Sequence, residues 1–159
     1  MRRRRRLLIL LMVLMLPMSA QAAEIPEDIR TYCEVAGEEN NIAPSLLEAI
    51  AYTESGFNER AVNKAGTCFG LCQIYKKYHI KRMERLGVTD LFDKEGNIRV
   101  AADLLLELFE TYEDVGAVLM KYNGATDKAI NRYFETGKLP KYAQRVIDQS
   151  IQYEKEVKE

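Results

Sequence analysis

From Pro26 onward apolar residues recur at helical spacing almost without interruption, and this period constrains the fold more than any other feature of the chain. Ile29, Tyr32, Cys33 and Ala36 fall at i, i+3, i+4 and i+7, marking one face of a first helix that runs out near Asn40 and Asn41. Pro44 suits the first turn of a second helix, which carries Leu46, Leu47, Ile50 and Ala51 and ends at Ser55-Gly56. Between Phe57 and Gly70 the period vanishes and small or polar residues dominate, the pattern of a loop with at most a short hairpin. Helical spacing resumes over Leu71 to Leu86 and stops at Gly87. Asp93-Lys94-Glu95-Gly96 reads as a turn, with Asn97 placed to cap the longest and most apolar helix. Its stripe of Ile98, Ala101, Ala102, Leu105, Leu108, Phe109 and Tyr112 marks it as the central core helix. Val115 to Tyr122 and Lys128 to Thr136 form two shorter helices, and Pro140 opens the last, which carries Tyr142, Val146 and Ile147. The expected fold class is all-α, a compact multi-helix domain, and 159 residues suffice for one domain.

The first 22 residues follow a different rule. Arg2 to Arg6 form a positive block, Leu7 to Leu16 an unbroken apolar stretch of ten, and Ala20-Gln21-Ala22 a small-x-small site of the kind a signal peptidase reads. Ten apolar residues fall well short of the roughly 20 that span a bilayer. The expected organisation is a signal peptide over residues 1–22 and a single domain over 23–159, exported to the periplasm or to the extracellular side of the cell wall. No cysteine stands at the cleavage point to take a lipid.

The basic start also distorts the charge balance. Net charge is −1, but setting aside those five arginines leaves 18 basic against 24 acidic residues, or −6, the wrong sign for a nucleic-acid binder. Several chemistries drop out in turn. With His79 as the one histidine and no Ser-His-Asp spacing around it, the pattern speaks against a nucleophilic triad, and with Cys33, Cys68 and Cys72 it makes a poor zinc set. The Asp93 turn lacks the glycine offset and closing Glu of a calcium loop, and no phosphate-cradling glycine loop is present. What remains is acid–base work by a carboxyl group. Glu54 occupies the last turn of a helix that enters an irregular loop, so it can face a cleft from a rigid element. The helix C-terminus and the neighbours Tyr52 and Phe57 both disfavour its charged form, as a general acid requires.

The surroundings of Glu54 carry a resemblance. Glu54-Ser55-Gly56-Phe57-Asn58, Ala61-Val62-Asn63, Gly70-Leu71-Cys72-Gln73-Ile74, Asn97-Ile98 and Tyr122-Asn123-Gly124 resemble, in order and spacing, the motifs of soluble lytic transglycosylases. The likeness runs from about Glu27 to Val146. It implies a lysozyme-like catalytic domain that cleaves the β-1,4 bond between N-acetylmuramic acid and N-acetylglucosamine in peptidoglycan, leaving 1,6-anhydro-muramic acid ends. Glu54 would be the sole catalytic acid/base, Gln73 would line the sugar cleft, and Tyr122 would reach toward the Glu54 carboxyl. Asn123 would hold neighbouring backbone or glycan, and Ser55 completes the implied substrate-binding set. No metal or organic cofactor is implied. The implied partners are glycan strands met as a monomer, with a cell-envelope assembly or secretion apparatus left open. Two other readings stand beside this one: a goose-type lysozyme, which hydrolyses the same bond, and a noncatalytic wall-binding module that keeps the fold.

The match has departures. The family usually has Ser at the place of Asn63 and Met at that of Cys72, and its loop glycines stand three apart where Gly66 and Gly70 stand four apart. Its Tyr-Asn-Ala-Gly is shortened to Tyr122-Asn123-Gly124. Because the fold packs its first helix near this loop, the resemblance also suggests a Cys33 link to Cys68 or Cys72 after export. A run of Lys76, Lys77, Lys81, Arg82 and Arg85 reads as a solvated helix face. N-terminal sequencing of exported protein should begin at Ala23; recovery of intact chain starting at Met1 in the membrane would overturn the export expectation.

Overall fold

The computed structural model describes residues 23–156, so the expected signal peptide and its cleavage site after Ala22 lie outside the described residues. Seven helices and one small hairpin follow in the order α1 (Glu27–Asn40), α2 (Pro44–Ser55), β1 (Cys68–Phe69), β2 (Ile74–Tyr75), α3 (Lys76–Leu86), α4 (Lys94–Thr111), α5 (Val115–Tyr122), α6 (Asp127–Thr136) and α7 (Lys141–Glu156). The all-α expectation holds. No helix among the described residues is long and apolar enough to cross a membrane.

Helix α2 is enclosed on every side. Its seven consecutive residues Ser45 to Ala51 are all buried, because α1, α4 and α7 pack around it. A helix so covered has no free face, which is why its sequence reads as nearly continuous small and apolar residues. Helix α4 is the longest, with 18 residues, and it packs against α1, α2, α3, α5 and β2, as expected of a central helix. Pro44 lies in the first turn of α2, where a missing N–H costs nothing, and Gly56 closes the helix at φ 61°, donating its N–H to Tyr52 O at 2.8 Å.

Two boundaries differ from the sequence expectation. The helix expected from Leu71 starts only at Lys76. Leu71, Cys72 and Ile74 are buried, so their apolar spacing reflects a turn and strand packed on the core. The residues Asp93 to Gly96, expected as a turn, belong to the start of α4: Asp93 is the N-cap, accepting from Gly96 N at 2.7 Å. Asn97, expected as the cap, lies inside the helix and is fully buried. Its Nδ2 donates to Phe69 O at 2.9 Å and Leu91 O at 2.8 Å, while its Oδ1 accepts from Cys72 N at 2.8 Å.

The hairpin is antiparallel, with Cys68 opposite Tyr75 and Phe69 opposite Ile74. At its bend Gly70 adopts φ 77°, and a Cβ built there would stand 2.1 Å from Leu91 O and 2.2 Å from Asn97 Nδ2. Only glycine fits this approach. All three cysteines are free thiols, so the expected link from Cys33 to Cys68 or Cys72 is not formed. Cys33 and Cys72 are fully buried and fill core space as small apolar side chains.

Asn97→Ala would orphan one buried donor and two buried acceptors, each worth about 1–3 kcal/mol, so chemical denaturation should show a loss of at least about 3 kcal/mol. Gly70→Ala should also be strongly destabilising, by more than about 2 kcal/mol, since neither the backbone dihedral nor the packing admits a methyl group.

Candidate active site

A cleft of about 320 Å³ opens between the end of α2, the hairpin and the end of α5. It collects Glu54, Gln73, Tyr122 and Asn123, residues that the sequence separates by up to 69 positions. Glu54 is the only acid among the described residues that line it.

The Glu54 side chain is set by two helices. The last turn of α2 carries it, and the α2 helix is immobilised by its own burial. Across the packed face, α7 brings Tyr142, whose hydroxyl donates to Glu54 Oε1 at 2.6 Å. Burial pushes the Glu54 carboxyl above the usual carboxylate range, and the Tyr142 hydrogen bond opposes that shift only in part. The Tyr142 hydroxyl is itself held protonated by burial and by the facing carboxylate. A carboxyl group that holds its proton more tightly than an exposed one while keeping a fixed orientation can donate that proton to a bound leaving group.

Tyr122 was expected to reach the carboxyl, but its hydroxyl donates to Cys72 O at 2.8 Å. It therefore anchors the hairpin turn from α5 and walls the cleft, while Tyr142 makes the contact with Glu54. In the sequence Tyr142 reads as one apolar position of an amphipathic helix. A tyrosine that caps a carboxyl 88 residues away has no local signal.

Gln73 stands in the left-handed region at φ 49°, unusual for a residue with a side chain. Its Nε2 donates to Ala61 O at 3.2 Å and Gly70 O at 3.0 Å, which fixes the amide at the cleft wall and leaves Oε1 for an incoming donor. Such a conformation costs on the order of 1 kcal/mol and persists because Tyr122 and Asn97 hold Cys72, the residue before it, from two sides. Asn123 closes α5, donating its N–H to Leu119 O at 3.0 Å, and exposes its side chain to the cleft. Ser55 does not line the cleft; its hydroxyl donates back to Ala51 O at 3.0 Å within α2.

Asn63, which departs from the family pattern, does line the cleft. Its Oδ1 accepts from Thr67 N at 2.8 Å and Cys68 N at 3.1 Å, closing the lengthened loop on itself. The solvated face expected over Lys76 to Arg85 is partly neutralised: Asp103 Oδ2 lies 2.6 Å from both Arg82 Nε and Arg85 Nη2, and Glu107 also pairs with Arg82. Among the described residues no group of histidine, cysteine and acid side chains is arranged to hold a metal ion.

Fold and cleft together define an all-α domain with a cleft that holds one carboxyl group among its described lining residues. A similar fold recurs in an inactive mutant of the lytic transglycosylase Slt from Pseudomonas aeruginosa, with a TM-score of 0.70 over 84% of this chain at 17% identity, although the chain covers only 25% of that protein. At sequence level the transglycosylase SLT domain matches residues 31–144, and the chain belongs to that family. It is 34% identical over 94 residues to a transglycosylase of Enterobacteria phage PRD1, a stretch covering 59% of this chain and 34% of the phage protein. Protein IpgF of Shigella flexneri is 38% identical over 113 residues, covering 64% of this chain and 71% of IpgF. The chain thus spans about a third of the phage relative and most of IpgF.

Tyr142→Phe should leave the fold intact and move the alkaline limb of the pH–activity profile upward. The hydroxyl stabilises the ionised carboxylate, so its removal raises the Glu54 pKa further and keeps the acid protonated to higher pH. A limb that stays in place or moves downward would show that Tyr142 does not tune Glu54.

Proposed function

We propose that the chain is a peptidoglycan lytic transglycosylase, exported to the periplasm or cell wall, that cleaves the β-1,4 bond between N-acetylmuramic acid and N-acetylglucosamine and leaves 1,6-anhydro-muramic acid ends. The observation that carries this reading is the half-buried carboxyl of Glu54, with its raised pKa, at the wall of a cleft that holds no other acid among its described lining residues. Membership of the transglycosylase SLT domain family supports the same reaction class.

One carboxyl suffices when the sugar supplies the second group. In the first step the protonated Glu54 donates to the glycosidic oxygen; the C1–O bond breaks, and the muramic N-acetyl oxygen bonds to C1. In the second step the Glu54 carboxylate removes the proton from the C6 hydroxyl of the same sugar. The C6 oxygen bonds to C1, the N-acetyl oxygen leaves, and Glu54 regains its proton. Water is not consumed and no cofactor enters. The high pKa serves the first step, and the Tyr142 hydroxyl stabilises the carboxylate between the two. Gln73, with its backbone held against the core, and Asn123, at the end of α5, orient the glycan strand. The chain acts as a monomer on this polymeric substrate.

Glu54→Gln retains shape but can neither give nor recover a proton, so wall-clearing activity should fall by at least about 10² to 10⁴-fold. Its stability should change by no more than about 1 kcal/mol, on the favourable side at neutral pH. The sign follows from the raised folded-state pKa: the group favours folding below its unfolded pKa and loses that contribution as pH rises through the folded one, and Gln carries no such loss. Mass analysis of wild-type digests should give anhydro ends, lighter by one water than hydrolysis products. Reducing ends would instead identify a lysozyme-type hydrolase, and unchanged clearance by Glu54→Gln would remove Glu54 from the chemistry.

A further inference from the structure

The cleft does not stop at its hairpin wall. His79 and Leu104 line it from one side and, from the other, line a second hollow of about 460 Å³ along α3, bounded also by Tyr78, Lys81 and the paired Arg82 and Arg85. The two spaces adjoin at these shared side chains.

Tyr78 is the most unusual residue of this hollow. The residue is 72% exposed, and three residues earlier Tyr75, which lines the cleft, supports its ring edge-on with ring centroids 4.6 Å apart and planes at 66°. An aromatic ring held by a neighbour yet open to solvent offers a flat apolar face at low ordering cost. A sugar ring presents the matching surface, a face of C–H groups edged by hydroxyls.

His79 supplies the polar complement. Arg82 Nη1 lies 2.6 Å from His79 Nδ1, and a guanidinium can only donate, so Nδ1 accepts and the ring proton sits on Nε2. Arg82 is in turn fixed by Asp103 and Glu107. Burial and the adjacent Arg82 hold the imidazole below its usual pKa, with Glu107 opposing, which favours the neutral ring with its Nε2–H as donor. Since Asp103 also holds Arg85, much of the cationic charge in the wall is answered in place, which favours a neutral ligand over an anionic one.

We propose that this hollow is an additional saccharide subsite, in which an N-acetylated sugar ring of the strand lies on Tyr78 while His79 Nε2–H donates to its carbonyl or hydroxyl oxygen. The inference rests on the glycan-cleaving reading above and adds to it the direction in which the strand runs, from Glu54 across the hairpin onto α3.

The test uses chitooligosaccharides of increasing length, titrated calorimetrically into Glu54→Gln protein to prevent turnover. Affinity should rise with length once a ring reaches α3. Tyr78→Ala should abolish that increment, about two- to tenfold, and leave the shortest ligands unaffected. His79→Ala should do the same, whereas His79→Gln, which keeps a donor at a similar position, should recover most of it. In ¹⁵N-edited spectra the His79 Nε2–H signal should be present in the free protein and shift only with the longer ligands. Length-dependent binding that survives both alanine variants would overturn the proposal, as would a proton found on Nδ1. An effect of Tyr78→Ala confined to fragments bearing stem peptides would also overturn it, assigning the hollow, through Lys81, to a peptide carboxylate. Failure of the underlying reading shows elsewhere, as a wild-type protein that does not clear cell walls.

Discussion

The side-chain amide of Asn97 ties together three separate pieces of chain: the hairpin at Phe69, the connection at Leu91 and the turn at Cys72. A buried amide with one acceptor and two donor positions engaged has no alternative partner in the core, so the three strands of backbone can approach in only one arrangement. Gly70 permits the approach by lacking a side chain. The hairpin turn then fixes the backbone of Gln73, and Tyr122 closes the same turn from α5 by reaching Cys72 O. The wall of the cleft is thus a consequence of a hydrogen-bonded hub seated on α4, while the hydrophobic core supplies the surface it rests on.

The opposite wall obeys a different constraint. Glu54 is rigid because α2 is enclosed, and it is electrostatically perturbed because α7 packs over it. The two effects have a common origin, since the packing that removes water from the carboxyl also brings in Tyr142 as its donor. Desolvation alone would raise the pKa and leave the orientation free; the hydrogen bond fixes orientation and lowers the cost of the charged state. An acid that must both give and take a proton in one catalytic cycle needs each of these, and the helix pair provides them without a second carboxylate.

A second carboxyl on α2 shows how little the sequence discriminates here. Glu48 is buried more deeply than Glu54, with 2% exposure, and its pKa is also raised by desolvation. It faces Arg30 of α1 at 3.8 Å and lines no part of the cleft that holds Glu54. From sequence position alone, Glu54 stands out because it precedes an irregular loop, and the motifs around it make the distinction sharper. Helical spacing likewise located most helices, since amphipathic stripes such as Ile98 to Leu108 encode their own burial. The same spacing misled over Leu71 to Tyr75, where buried apolar residues serve a turn and a strand and the period is accidental.

The sequence by itself determined the helical class, the position of the loop and the carboxyl at its edge, because each of these is written in local periodicity, in glycine and proline placement, and in motif spacing. Tertiary structure alone decided which tyrosine touches Glu54, that Asn97 is a buried hub and not a cap, and that Asp103 and Glu107 order the basic face beside His79. Apart from the bond of Asn97 to Leu91, six positions away, these are contacts between residues 18 to 88 positions apart, set by how helices dock, and a hydrogen bond across that separation leaves no trace in the period of either segment.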